Sequence, residues 1–211
     1  MGAAHPLVVV YADESCIGNG RAGDNPGGAA GLIEYRKPRS GGIVRRDFWV
    51  SEPSTTNNRM ALRSVIEAFN ILSAKGRALS VRFVTDSNYI VNGMTDWVHG
   101  WAARGWRRRT GEIENVALWK TAVDAVRGFE TEWRWVAGHA GHPQNEYANF
   151  LAIRAARSLS DSGGAVDSGF DDWLAAHRAA DRMRAETDAF PEPGDFRPTR
   201  ALPGSSARRP V

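Results

Sequence analysis

Cysteine is almost missing from this chain. Cys16 is the only one in 211 residues, so no internal disulfide can form, and the usage suits a reducing cytoplasm. No stretch is apolar for long enough to span a bilayer. Met1 to Pro6 has neither the basic and apolar regions of a signal peptide nor the Ser or Thr at position 6 of a myristoylation signal. The expectation is a soluble, cytoplasmic protein with no membrane partner. A large charge of either sign is lacking too, since 27 Lys and Arg against 24 Asp and Glu leave only +3. The basic residues are nevertheless uneven. Arg104, Arg107, Arg108 and Arg109 sit with Trp101 and Trp106, and a local patch attracts a polyanion better than a net charge does. The length suits one α/β domain with an extension rather than two full domains.

What the chain has is a strong strand with a carboxylate at its end. Leu7-Val8-Val9-Val10-Tyr11-Ala12-Asp13 is an almost unbroken β-branched run, the pattern of a strand buried on both faces. Asp13 then stands clear of the core at one edge of the sheet, either as chemistry or as an ordinary turn opener. Gly18-Asn19-Gly20-Arg21-Ala22-Gly23 matches the G-x-G-x-x-G dinucleotide fingerprint, yet it leads through Asp24 to Gly28 into a second strand, Ala29 to Tyr35. That fingerprint must open a helix, so no nucleotide cofactor is expected. A third strand near Ile43 to Val50 completes an antiparallel meander.

Ser54-Thr55-Thr56-Asn57-Asn58-Arg59 opens a helix whose periodic apolar residues are Met60, Val65, Ile66, Phe69 and Leu72. Capping explains one polar residue of that type, whereas a helix N-terminus rimmed with amides and hydroxyls is also a phosphate or sugar site. A fourth strand, Leu79 to Val84, follows this helix and joins the first in parallel by a crossover. Asp86 then stands where Asp13 stands, at the C-terminal end of a strand. Two such carboxylates suggest a Mg²⁺ site, although Asp86 or Ser87 can also simply cap the next helix.

Short helices are expected over Ser87 to Gly93, Thr95 to Ala103 and Asn115 to Arg127, with Trp97, Trp101 and Trp119 packed inward. Trp106 lies among the arginines, where it either stacks on a sugar or base or pins the loop to the body. A fifth strand, Thr131 to Val136, empties into a glycine-rich loop before a helix from Pro143 to about Arg157. His139 and His142 in that loop lack the Cys or third His of a zinc site, and one His beside carboxylates suits proton transfer. Asp161 to Gly169 reads as a flexible linker, Phe170 to Ala189 as a short helix, and Pro191 to Val211 as a disordered Pro/Arg-rich tail. The division is therefore a domain over 1–157, a linker and short C-terminal helix over 158–190, and a tail over 191–211.

These pieces together resemble bacterial ribonuclease H. The resemblance rests on Asp13-x-Ser15-Cys16-x-Gly18-Asn19, Thr55-Thr56-Asn57-Asn58-Arg59-Met60, Thr85-Asp86-Ser87-x-Tyr89, Gly93-x-Thr95-x-Trp97-x-x-x-Trp101 with Arg104-Gly105-Trp106, Asn115-x-x-Leu118-Trp119, and Trp133-x-Trp135-Val136-x-Gly138-His139-Ala140-Gly141-His142-Pro143-x-Asn145-Glu146. It covers roughly residues 7 to 157 and implies an α/β fold with a mixed five-stranded sheet flanked by helices. It also implies hydrolysis of the RNA strand of an RNA–DNA hybrid by two Mg²⁺ ions roughly 4 Å apart, with Mn²⁺ as an alternative ion. On the same resemblance Asp13 bridges the metals, Asp86 holds one of them, and His139 assists proton transfer or product release. Cys16, Asn19, Thr56, Asn57, Asn58 and Asn88 touch the hybrid, and the loop with Trp101, Trp106 and Arg107 grips it. A 2′-hydroxyl contact is what separates RNA from DNA there. The protein is expected to act as a monomer.

The departures fall on the metal site. The family's second carboxylate, a Glu on the first helix, is Ala61 here, its fourth, an Asp on the last helix, is Asn149, and Glu14 stands where the family has Gly. Asn149 still offers a carbonyl oxygen, and Ala61 offers nothing. Glu146 lies three residues before Asn149 on one helix face, so it can lean into the site. Glu14 adjoins Asp13, although strand alternation sends it to the opposite face unless the strand has ended. Its appearance beside the loss at position 61 suggests a relocated carboxylate. The expected function is a hybrid endoribonuclease with a rearranged carboxylate set. The alternative is a catalytically inactive hybrid-binding module on the same fold, and a purely structural protein must ignore both the basic loop and the Asn cluster.

Overall fold

Alternation along one strand sets the layering. In β1 (Leu7–Cys16), Val8, Val10 and Ala12 face one layer of helices, while Val9 and Tyr11 face the other. The computed structural model describes residues 5–18 and 24–204. β1 pairs antiparallel with β2 (Gly27–Arg36), which pairs antiparallel with β3 (Ile43–Glu52). After α1 (Asn57–Ser73), β4 (Ser80–Thr85) enters parallel to β1, and β5 (Glu130–Trp135) lies parallel to β4. The mixed sheet and the crossover are those expected. The sheet has six strands rather than five, in the order β5-β4-β1-β2-β3-β6, because a two-residue strand, β6 (Val166–Asp167), pairs with Arg46 and Asp47 of β3.

α1 begins where its sequence directs. Thr56 is extended, and its hydroxyl accepts from the Arg59 N–H at 3.4 Å. Met60, Val65, Phe69 and Leu72 are buried beneath it. α2 (Asn88–Asn92) runs through a π-turn, Gly93–Trp97, into α3 (Val98–Ala103), and α4 (Val116–Val126) packs across them and α1. Gly93 is required by close approach, since a Cβ there would lie 1.9 Å from the Trp119 ring. Trp119 is fully buried as expected, with its Nε1 donating to the Tyr89 hydroxyl at 2.8 Å. Trp97 and Trp101 are half-buried against it.

The opposite layer is α5 (Pro143–Ser158) with α6 (Phe170–Ala179), whose Phe170 and Leu174 join Tyr11, Tyr147 and Leu151 in a second core. α6 stops at Ala179, short of the Ala189 expected. The composition of 161–169 suggests a linker and that of 191–211 a disordered tail, yet the described residues of both are held by partners far away in the sequence. Ser162 N–H donates to Trp49 O at 2.9 Å, and Asp161 accepts from the Ser51 N–H at 2.7 Å. A 3₁₀ turn, Pro193–Asp195, follows Glu192, which pairs with Arg36. Thr199 N–H donates to Thr131 O at 2.8 Å along the edge of β5, and Leu202 is buried in the core on the α1 and α4 side of the sheet. Such long-range contacts leave no trace in local composition. Residues 205–211 lie outside the described residues. No helix among the described residues is long and apolar enough to cross a membrane.

Candidate active site

The pairing of β1 with β4 runs from Leu7–Ser80 to Tyr11–Val84 and stops, whereas β1 stays paired with β2 as far as Cys16–Gly27. Beyond Tyr11 the two central parallel strands part, and the opening between them is lined by acid. Ligand oxygens of Asp13, Glu14 and Asp86 all lie within 4.8 Å of one another. Alternation does send Glu14 to the face of Val8, Val10 and Ala12, the face covered by α1, where Ala61 is buried. At the parted end of the strands, carboxylates from both faces of β1 still reach the same space. The strand has not ended at Glu14; only its pairing with β4 has.

Asp13 is buried, with its Oδ1 accepting from the Glu14 N–H at 2.7 Å and its Oδ2 accepting from the Asn145 amide at 3.1 Å. Burial, then the charge of Asp86, pushes its carboxyl up to about 8, with Glu146 adding to the rise and the Glu14 and Asn145 hydrogen bonds opposing it. Glu14 is held well above the usual carboxylate range by burial, then Asp13 and Asp86, while Ser87 hydrogen-bonds to it. Asp86 is raised by burial, and His139 acts against that rise. Two buried oxygens at this end, Glu14 Oε2 and Asn145 Oδ1, have no hydrogen-bond partner among the described residues. Hard oxygen ligands crowded together, with lone pairs left over and like charges unrelieved, fit a divalent cation.

Several neighbours complete the geometry. Trp135 Nε1 donates to the Asp86 carbonyl at 3.0 Å. Gly138 leaves room for the Asp86 carboxylate, since a Cβ there would stand 2.2 Å from Asp86 Oδ2 and push that oxygen aside. His139 has a φ of 52° and is strongly exposed, with Nδ1 4.0 Å from Glu146 Oε2. Glu146 also accepts from the Gly141 N–H at 3.4 Å and stands outside the acidic triplet. Asn149 is half-buried one helical turn beyond Asn145 on α5, the spacing that shares a face. Asn145, Ser87, Trp135 and Gly138 are absent from the residues assigned from sequence. Asn145 carries a usable signal, its i, i+4 relation to Asn149.

The remaining candidates fall in two places. Near the start of α1, Cys16 Sγ lies 3.4 Å from Thr55 O, Thr56 caps the helix, and Asn57 and Asn58 are half-buried in its first turn. Asn88 is exposed at the start of α2, and Asn19 lies outside the described residues. Further off, Trp106 is half-buried with a φ of 62°, and Lys120 Nζ sits 5.7 Å from its ring centre. Trp106, Arg107 and Arg108 line a hollow with Ile113 and Val116. Arg107 is exposed, and Trp101 packs on Trp97 and Trp119.

Comparison with known proteins places this arrangement. The ribonuclease H of Stutzerimonas stutzeri (strain A1501) is 40% identical over 148 residues, which cover 70% of this chain and 89% of that protein. Ribonuclease HI of Caulobacter vibrioides is 40% identical over 157 residues, covering 74% and 96%. The crystal structure of LC9-RNase H1, described as a type 1 RNase H with the type 2 active-site motif, matches 100% of both chains at 60% identity with a TM-score of 0.90. The RNase H family profile matches residues 5–157, the stretch that carries every acidic and amide side chain of the site. By sheet order, by acidic edge and by descent, this chain belongs to the ribonuclease H family.

Proposed function

We propose that this protein hydrolyses the RNA strand of RNA–DNA hybrids using divalent cations held by Asp13, Glu14 and Asp86, with Glu14 replacing the carboxylate lost at Ala61. The observation that carries the reading is the convergence of ligand oxygens from these three residues within 4.8 Å. The likeness to LC9-RNase H1, whose active-site motif departs from that of its type, supports a carboxylate set that moves without loss of the fold. Mg²⁺ is the ion proposed, and bound there it supplies Lewis-acid stabilisation of the phosphate and a water nucleophile of lowered pKa.

The chain's own groups do the rest. Asn145 holds the Asp13 carboxylate in one orientation through its amide. Asn149 offers a neutral carbonyl oxygen from the next turn of α5, and Glu146 places its carboxyl group beside the loop. His139, exposed on that loop, delivers a proton from its imidazole to the leaving oxygen. Asn57, Asn58 and Asn88 present amides to the hybrid's backbone and sugars, and the Trp106–Arg107 loop grips the duplex beyond the site.

The test is a labelled hybrid incubated with Mg²⁺ and, separately, Mn²⁺. Cleavage of the RNA strand that Asp13→Asn abolishes is the expected result. Tight, salt-sensitive binding with no cleavage in either metal overturns it and leaves the hybrid-binding module.

A further inference from the structure

The family match ends at residue 157, but the chain returns to the site thirty-odd residues later. Asp188 meets the first turn of α5 at two points. Its N–H donates to Gln144 Oε1 at 3.2 Å, and its carbonyl accepts from Gln144 Nε2 at 3.0 Å. Gln144 is fully buried, whereas Asp188 is exposed. The Asp188 carboxylate then lies 3.0 Å from His142 Nε2.

His142 is the N-cap of α5. Its Nδ1 accepts from the Asn145 N–H at 3.3 Å, and an imidazole nitrogen can accept only when it carries no proton. The proton of the neutral ring therefore sits on Nε2, facing Asp188, which fixes both tautomer and ring plane. The ring is also tilted against Tyr11, two residues before Asp13, with centroids 5.6 Å apart. From Asn145 the line continues to the site, since its side-chain amide holds Asp13 Oδ2 at 3.1 Å. The carboxylate of Asp188 is itself held below the usual range, first by its hydrogen bond to His142.

We infer that Asp188, outside the family-matching region, is a positioning residue for the catalytic centre: through His142 it sets the first turn of α5 and hence the Asn145 amide that orients Asp13. The inference rests on the proposed role of Asp13. Without the Asp188 carboxylate the ring is free to turn or to take the other tautomer. Asn145 then loses its cap, and Asp13 loses a fixed partner.

The test is steady-state hybrid cleavage in Mg²⁺ with kcat and KM measured separately, alongside thermal melting. Asp188→Ala is expected to lower kcat about tenfold, the scale of lost outer-shell partners, with KM little changed. Asp188→Asn keeps an oxygen for the Nε2 proton and should recover most of that loss. Asp188→Ala combined with His142→Ala should fall no further than His142→Ala alone. Glu192→Ala frees the same extension from Arg36 at another anchor and should leave kcat unchanged. In the unaltered protein, the ¹⁵N signals of His142 should report a proton on Nε2 and a bare Nδ1. The inference is overturned by Asp188→Ala with wild-type kcat, by an equal kcat loss in Glu192→Ala, or by the opposite tautomer, a reading that needs no variant to fold. Asp13→Asn inactive with Asp188→Ala fully active sinks this inference alone. An active Asp13→Asn sinks the reading beneath it.

Discussion

Two groups of buried carboxylates share one sheet and are handled in opposite ways. Glu132 on β5 meets Arg82 Nε at 2.9 Å, Arg134 Nε at 2.8 Å and the Arg197 N–H at 3.2 Å. Burial works to raise it, yet these donors together bring it below its ordinary range. Glu34 on β2 is pushed up by burial, with Arg45 Nε, 2.7 Å away, pulling it back. Asp13, Glu14 and Asp86 have one another instead. No Lys or Arg among the described residues pairs with them, and all three are raised. The chain supplies Arg to the first group and none to the second, where burial raises all three carboxyls and a cation arriving from outside would oppose that rise. Concentrating like charge in that way costs stability, and its place is a functional site.

The largest effect should come from Asp13→Asn, which removes the most buried member of the unpaired group. Hybrid cleavage should fall by roughly a thousandfold, the scale on which loss of a key electrostatic stabiliser acts, while circular dichroism shows the fold intact. The paired group should answer in the opposite way. Arg82→Met takes the buried partner from Glu132 and leaves it Arg134 and the Arg197 N–H, so denaturant unfolding should show a loss of about 2 kcal/mol with kcat/KM unchanged. A fall in activity without a loss of stability would erase the contrast between the groups.

Next comes Glu14→Gln, expected to slow cleavage on the order of a hundredfold through weakened metal charge stabilisation. Glu14→Gly combined with Ala61→Glu, which returns the carboxylate to α1, should recover part of it. Equal activity in wild type and Glu14→Gln would remove Glu14 from the site.

The smallest effect is a pH slope in the metal-free protein. The Asp13 carboxyl moves from an ordinary 3.8 to about 8 on folding, so the folded chain binds this proton more tightly than the unfolded one. Its contribution to stability is full below about pH 4 and is lost as pH rises through about 8. Melting temperature should therefore decline between pH 5 and pH 9 more steeply in wild type than in Asp13→Asn. Added Mg²⁺ should restore the wild type most at the alkaline end. Parallel profiles for the two proteins would show that Asp13 carries no such strain.

Much of this was legible in the residues. The β-branched run into Asp13, the fourth strand into Asp86, and the Thr56 cap with its apolar face gave the sheet edge and the helix before any coordinate. Glu14 was half legible. Alternation placed it on the face away from Asp13, and what a linear pattern does not carry is that β1 and β4 separate after Tyr11 and Val84, which lets both faces open on one space. The extension was least legible. Gly and Ser around residue 163, and Pro and Arg after 191, describe local freedom, whereas its order comes from a few distant anchors, Phe170, Met183, Asp188 and Leu202. β6, with two residues, is too short to show any period.

Everything proposed for the site turns on whether Glu14 joins Asp13 and Asp86 in holding one divalent cation. The most direct measurement is an anomalous difference map from crystals grown with Mn²⁺. The expected result is a peak in contact with carboxylate oxygens of all three residues. A peak touching Asp13 and Asp86 with Glu14 turned away, or no peak between the strands, would contradict it.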